Sequence, residues 1–139
     1  MRRFATIMFA FCLWAQHATA DTYYCTLTDA LTLSDDGKLM PHPLRDMLLD
    51  YQVTVEVETG KVFHPQFGTS TYDFIEVLDQ GSAISAFKVI AYSSDSSRPE
   101  EGVISFRNAA YFEIKTFAEG PQKPFMAQTA SDFGYGVCQ

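Results

Sequence analysis

The sequence has few of the residues that most enzyme and metal-site motifs require. Its 139 residues include three cysteines, three histidines and one tryptophan. A Gly-x-Ser-x-Gly motif is missing, which excludes a nucleophile elbow, and no histidine lies at zinc-ligand spacing from another ligand. We interpret His42, between two prolines, as an exposed loop residue, and His64, before Pro65, as a strand-end residue. The sequence therefore predicts neither a cofactor nor a metal site.

The chain also lacks a hydrophobic run long enough to span a bilayer, since its longest run, Phe4 to Trp14, is too short. Arg2 and Arg3 precede this run and Ala18-Thr19-Ala20 follows it. A charged start, an apolar run and a small-residue end are the three parts of a secretory signal peptide. We predict a signal peptide over residues 1–20, a single mature domain over residues 21–139, and a bacterial protein that is periplasmic or secreted.

Basic residues are scarce in the predicted mature domain. It has eight lysines and arginines against seventeen aspartates and glutamates, a net charge of about minus nine. This charge repels nucleic-acid phosphates and anionic membranes, and no basic amphipathic helix is present. We therefore expect no nucleic-acid partner and no stable membrane insertion after signal cleavage. An acidic surface does attract basic proteins.

Two cysteines remain once residues 1–20 are removed. Cys25 lies near the start of the mature domain and Cys138 is the penultimate residue. An isolated pair in an exported protein is usually oxidised. We predict a Cys25–Cys138 disulfide that joins the first strand to the last.

Alternation of apolar and polar residues dominates the rest of the chain, and is typical of antiparallel β-strands. The clearest case is Tyr51, Val53, Val55 and Val57, which share one face. The predicted strands are 22–28, 31–33, 51–57, 61–63, 72–78, 86–92, 103–106, 110–117, 125–129 and 135–138. The predicted fold is all-β: a single small antiparallel β-barrel or sandwich of about eight strands, with one short helical turn near 44–49, closed by the disulfide.

Two short motifs interrupt the strand pattern. Asp35-Asp36-Gly37 is a turn signal, because the alternating oxygen ligands and terminal glutamate of a calcium loop are missing. Pro41-His42-Pro43 is predicted to exclude regular strand pairing, because neither proline has a backbone N–H to donate.

Aromatic residues are abundant, with seven tyrosines and nine phenylalanines in the mature domain. They fill the core in one interpretation, and line a calyx for an apolar ligand in the other. The segment of residues 63–70 combines two aromatic rings, a histidine and hydroxyls in a stretch held by Pro65 and Gly68. It is predicted to be either a partner-binding loop, with Phe63, His64, Phe67 and Ser70 as contact residues, or a cover over the barrel mouth.

Three stretches carry a resemblance to known proteins: Phe87 to Ser93, Tyr111 to Phe117, and the Gly136-Val137-Cys138 ending. They resemble uncharacterised exported proteins of Gram-negative bacteria, a likeness that implies no activity. Tyr23-Tyr24-Cys25, the stretch from Gly68 to Tyr72 and the late cysteine are similar to periplasmic inhibitors of c-type lysozyme. That second resemblance implies a small disulfide-tied β-barrel and no particular site residues.

These observations favour a non-enzymatic, exported binding module without a catalytic residue. Its expected partner is a basic protein, such as a cationic cell-wall enzyme, because the surface is acidic. The first alternative is a carrier of a small apolar ligand inside a calyx-like barrel. The second is a hydrolase that uses two of the many carboxylates.

Overall fold

The computed structural model describes residues 22–94 and 106–139. These residues form nine strands and one helix in the order β1 (Thr22–Leu33), β2 (Leu39–Pro41), α1 (Arg45–Leu49), β3 (Gln52–Glu56), β4 (Lys61–Phe63), β5 (Phe74–Gln80), β6 (Phe87–Ser94), β7 (Phe106–Ile114), β8 (Lys123–Thr129) and β9 (Asp132–Cys138). The predicted signal peptide lies outside the described residues.

Eight of the strands form one antiparallel sheet that curls into a nearly closed barrel. The strand order is β4-β3-β1-β9-β8-β7-β6-β5, and β2 pairs with the far end of β1. The all-β prediction, the count of about eight strands and the short helix are confirmed. All the pairings are antiparallel, and most join neighbours in sequence, which accounts for the short connections between strands.

The alternation of the sequence places one face of each strand in the barrel interior. On β6, for example, Phe87, Val89 and Ala91 are buried, whereas Lys88 and Ile90 point outward. The same pattern recurs around the barrel, and the buried residues form one continuous core. Removing this apolar surface from water is the main driving force for the fold.

A disulfide joins Cys25 to Cys138, as predicted. The two cysteines are direct cross-strand partners in the β1–β9 pair, and both side chains are fully buried. The bond therefore fastens the first strand of the barrel to the last, and it is compatible with an exported protein.

Strands β4 and β5 are the two ends of the strand order, and Thr69 hydrogen-bonds to the open edge of β4. The buried hydroxyl of Thr69 accepts a hydrogen bond from the Val62 amide (2.8 Å) and donates one to the Gly60 carbonyl (3.0 Å). The Thr69 amide donates to the Val62 carbonyl. Thr69 thus satisfies the free edge of β4, which a three-residue strand could not protect by itself.

Helix α1 packs against β1, between the part of β1 that pairs with β3 and the part that pairs with β2. Leu48 is buried, and the Arg45 Nε donates to the Asp29 carboxylate (2.5 Å). The Arg45 guanidinium lowers the pKa of the Asp29 carboxyl below its ordinary value. Asp29 lies at a β-bulge, which turns its side chain to the outer face of β1.

Three predictions about strands need correction. The strands predicted at 22–28 and 31–33 are one continuous strand, β1. Pro41 does pair regularly, opposite Leu31, because β2 is an edge strand and its last residue needs no donor. The strands predicted at 103–106 and 110–117 are one strand, β7, over the part that is described, and residues 103–105 lie outside the described residues. Within residues 22–94 and 106–139, no helix has the length and apolar character needed to cross a membrane.

Candidate functional site

One end of the barrel, which we call the mouth, gathers most of the predicted site residues. It is formed where β4 and β6 end, where β5 and β7 begin, and by the turn between β8 and β9. Residues 64–73 connect β4 to β5 across this end. The predicted partner-binding loop is therefore part of the connection over the mouth.

Phe67 closes the mouth from above. Its side chain is 1% exposed and belongs to the continuous core. The ring fits against Gly134 of β9, where an added Cβ would lie 2.8 Å from the Phe67 Cε2 atom. Gly134 therefore leaves the space that the ring occupies, and this burial leaves Phe67 no surface for a partner.

His64 holds the connection in place through both of its ring nitrogens. The Nδ1 atom accepts hydrogen bonds from the backbone amides of Gln66 and Phe67, each at 3.2 Å. An acceptor at Nδ1 requires the proton to be on Nε2, which donates to the Leu48 carbonyl at 3.2 Å. The ring also stacks on Phe67 at 5.4 Å between centroids. Both ring nitrogens of His64 are therefore bound to backbone groups.

This arrangement predicts that the protein loses stability in mild acid. Burial lowers the pKa of His64 below its ordinary value, although the Leu48 hydrogen bond partly opposes the shift. The unfolded chain then binds a proton more readily than the folded chain. The contribution of His64 is fully present above the unfolded pKa of about 6.5 and is lost as pH falls from there toward the folded pKa.

Urea unfolding between about pH 7.5 and pH 5 measures this effect. We expect the free energy of unfolding to fall with pH in the wild type and to fall less in His64→Gln, whose side chain does not titrate. The comparison subtracts the contributions of all other groups. Identical pH dependence in the two proteins would contradict a lowered pKa for His64 in the folded protein.

A second polar cluster surrounds Asp132, whose carboxylate faces the mouth. It accepts hydrogen bonds from the Thr32 hydroxyl and the Gln66 amide, both at 2.6 Å, and lies 3.6 Å from the Nε2 atom of His42. The His42 side chain is only 10% exposed, which corrects its interpretation as an exposed loop residue. Its Nδ1 atom accepts a hydrogen bond from the Leu44 amide, so His42 stabilises the turn that leads into α1.

The other two predicted contact residues remain at the surface, but they point in different directions. Phe63 lies on the outer side of β4, opposite Thr54, and is 42% exposed. Ser70 is exposed at the edge of a polar cavity of about 210 Å³, which we call the mouth cavity. Its lining consists of His64, Pro65, Gln66, Gly68, Ser70, Thr71, Tyr72, Ser93 and Asn108. The structure therefore brings His64 and Ser70 together, and separates them from Phe63.

The barrel carries a second candidate surface that the sequence interpretation missed, on the outside of the sheet. Outward positions of an antiparallel barrel are normally polar, yet many on this side are apolar. We define the outer apolar face by Leu31, Phe74, Ile90, Tyr92, Tyr111 and Phe133. Strand register joins them in three pairs, because Leu31 is opposite Phe133, Tyr111 is opposite Ile90, and Phe74 is opposite Tyr92. Gln128 of β8 lies between Phe133 and Tyr111. The sequence of β6 and β7 could have indicated this face, because apolar residues occupy consecutive positions there and therefore lie on both sides of the sheet.

A groove of about 370 Å³ lies within the outer apolar face. It is lined by Ile90, Asn108, Ala109, Ala110, Tyr111, Gln128 and Ala130. The alanines leave a depression between larger side chains, and the Phe74 and Tyr92 rings stack beside it at 5.1 Å. Such a depression in an apolar surface is a suitable receptor for one large side chain of a partner.

The barrel interior is occupied by phenylalanine side chains. Phe87 and Phe112 are fully buried, and Phe112 stacks on Phe125 at 5.2 Å. These rings fill volume that an apolar ligand would need inside a calyx. Comparison of the chain with models of protein families, with curated proteins and with solved structures finds no match.

Proposed function

We propose that the protein is an exported, non-enzymatic binding module that docks a basic protein on its outer apolar face. The observation that carries the proposal is the groove of about 370 Å³ in that face. A largely apolar patch on the outside of a small barrel is a common mark of a protein-interaction site. The filled interior favours this surface over the calyx alternative.

Charge around the groove supports a basic partner. Glu76 is exposed on β5 directly opposite Ile90, and Glu113 follows two positions after Tyr111 on the same outward side of β7. The Tyr111 hydroxyl donates to Glu113 at 2.6 Å, which fixes that carboxylate at the border of the face. An apolar centre bordered by acids suits a partner that presents an apolar anchor among lysines and arginines.

Titration calorimetry with a c-type lysozyme, used as a cationic probe, tests the proposal. We expect saturable binding that weakens when salt is raised, because screening removes the electrostatic steering. Ala109→Arg fills the groove with a cation and should weaken binding by about tenfold or more. Gln52→Arg on β3 adds the same charge at an exposed site away from the groove, and should change affinity by about twofold.

The two variants separate docking in the groove from attraction by the whole molecule. Equal weakening by Ala109→Arg and Gln52→Arg would show that net charge alone acts, and would remove the groove from the proposal. Indifference of the protein to lysozyme and to a panel of other basic envelope proteins would count against a basic partner altogether.

A further inference from the structure

Five of the residues that line the mouth cavity have uncharged polar side chains without a hydrogen-bond partner in the described part of the protein. Ser93 on β6 and Asn108 on β7 are cross-strand partners at the barrel rim, and Ser70, Thr71 and Tyr72 face them from the connection above. Within residues 22–94 and 106–139, none of these five side chains makes a hydrogen bond to another protein group. Five hydrogen-bonding side chains from three elements therefore converge on one small space without partners in the described part of the protein.

The chemistry of this lining selects for a particular class of ligand. Hydroxyl and amide groups can donate and accept, so they match ligands whose own groups do both. Burial raises the pKa of the Tyr72 hydroxyl, which therefore keeps its proton at neutral pH. The remaining ionisable group in the lining, His64, has both nitrogens bound to the backbone. Among the described lining residues a charged ligand would find no counter-ion, whereas a neutral polyhydroxylated one would find many partners.

We propose that the mouth cavity binds one unit of a neutral saccharide. Its volume of about 210 Å³ accommodates a ligand the size of a single sugar ring. The sugar hydroxyls meet Ser70, Thr71, Ser93 and Asn108, and the Tyr72 hydroxyl donates to a ring or hydroxyl oxygen. This site lies at the end of the barrel and shares only Asn108 with the groove of the outer apolar face, so it stands whether or not that face docks a protein.

Heteronuclear NMR with N-acetylglucosamine as the probe tests the assignment on the purified, disulfide-bonded protein. We expect saturable shifts of the backbone amides of Ser70, Tyr72, Ser93 and Asn108, with weak affinity because the ligand is small. Glucuronate, a sugar of similar size with a negative charge, should bind at least about fivefold more weakly because it lacks a counter-ion in the cavity.

Two variants test whether the lining carries the affinity. Tyr72→Phe and Ser93→Ala each remove one hydroxyl and should weaken binding about fivefold. Thr26→Val removes an exposed hydroxyl from β1 and should leave binding unchanged. Ile90→Arg, in the part of the groove opposite Tyr111 and away from Asn108, should weaken lysozyme binding and leave sugar binding unchanged, which separates this site from the protein-docking surface.

Three results would overturn the proposal: shifts that do not saturate, shifts centred outside the mouth cavity, and equal affinity in wild type, Tyr72→Phe and Ser93→Ala. Loss of lysozyme binding in Ile90→Arg with intact sugar binding would support both sites independently. Sugar binding without any lysozyme binding would support the saccharide site and contradict only the docking proposal.

Discussion

The double variant Cys25→Ala/Cys138→Ala is expected to lose about 4–5 kcal/mol of unfolding free energy. The disulfide spans 113 residues, so its removal releases nearly the whole domain in the unfolded state. On the chain-entropy account, the stabilisation grows with the logarithm of the loop length and is close to its largest value here. For a domain of this size the loss is comparable to the entire stability margin.

Urea unfolding of the oxidised wild type, the reduced wild type and the double variant measures this loss. Alanine is the better replacement because both positions are fully buried, and a serine hydroxyl would have to find a partner there. The reduced wild type should match the double variant, and reductant should have no effect on the variant. A difference below about 1 kcal/mol between oxidised and reduced protein would contradict the entropic account.

The sequence predicted the fold well because its signals are local. The alternation of Val53 and Val55 with polar neighbours fixes which side of β3 faces inward, and the same rule holds for β6 and β8. The disulfide prediction followed from having two cysteines at the ends of the predicted mature domain. The closed order of strands then results from hairpins between neighbours and from the Cys25–Cys138 link.

The candidate site was less predictable because it depends on contacts between distant parts of the chain. The sequence places Phe63 and Phe67 in one segment, but only the barrel decides that one ring points outward and the other enters the core. That outcome depends on Gly134, which is 67 positions further along the chain than Phe67. Similarly, the Asp132 cluster unites residues from β1, β9 and the connection over the mouth.

The outer apolar face shows where strand patterning reaches its limit. In Lys88-Val89-Ile90-Ala91-Tyr92, apolar residues occupy both sides of β6, so the pattern does not distinguish a core strand from one with an apolar exterior. The register of β6 with its neighbours is what joins Ile90 to Tyr111 and Tyr92 to Phe74. A docking surface of this kind is a property of neighbouring strands together.

Phe67→Ala is expected to destabilise the protein by about 3–5 kcal/mol, the usual cost of removing a fully buried phenylalanine ring. The ring packs against Gly134 beside a Leu27 methyl, and its loss leaves a cavity under the connection of residues 64–73. Phe63→Ala is the matched control in the same segment. Its ring is 42% exposed, so we expect a loss of about 1 kcal/mol or less. Urea unfolding of both variants measures the difference.

A double-mutant cycle with Gly134→Ala isolates the contact between the ring and the barrel wall. Alone, Gly134→Ala should be destabilising, because its Cβ would lie 2.8 Å from the Phe67 ring and 2.9 Å from a Leu27 methyl. In the Phe67→Ala background the ring is gone, and the added methyl group occupies part of the cavity. The two losses should therefore be less than additive, with a coupling of about 1 kcal/mol or more. Strict additivity, or equal losses for Phe67→Ala and Phe63→Ala, would contradict the placement of Phe67 in the mouth.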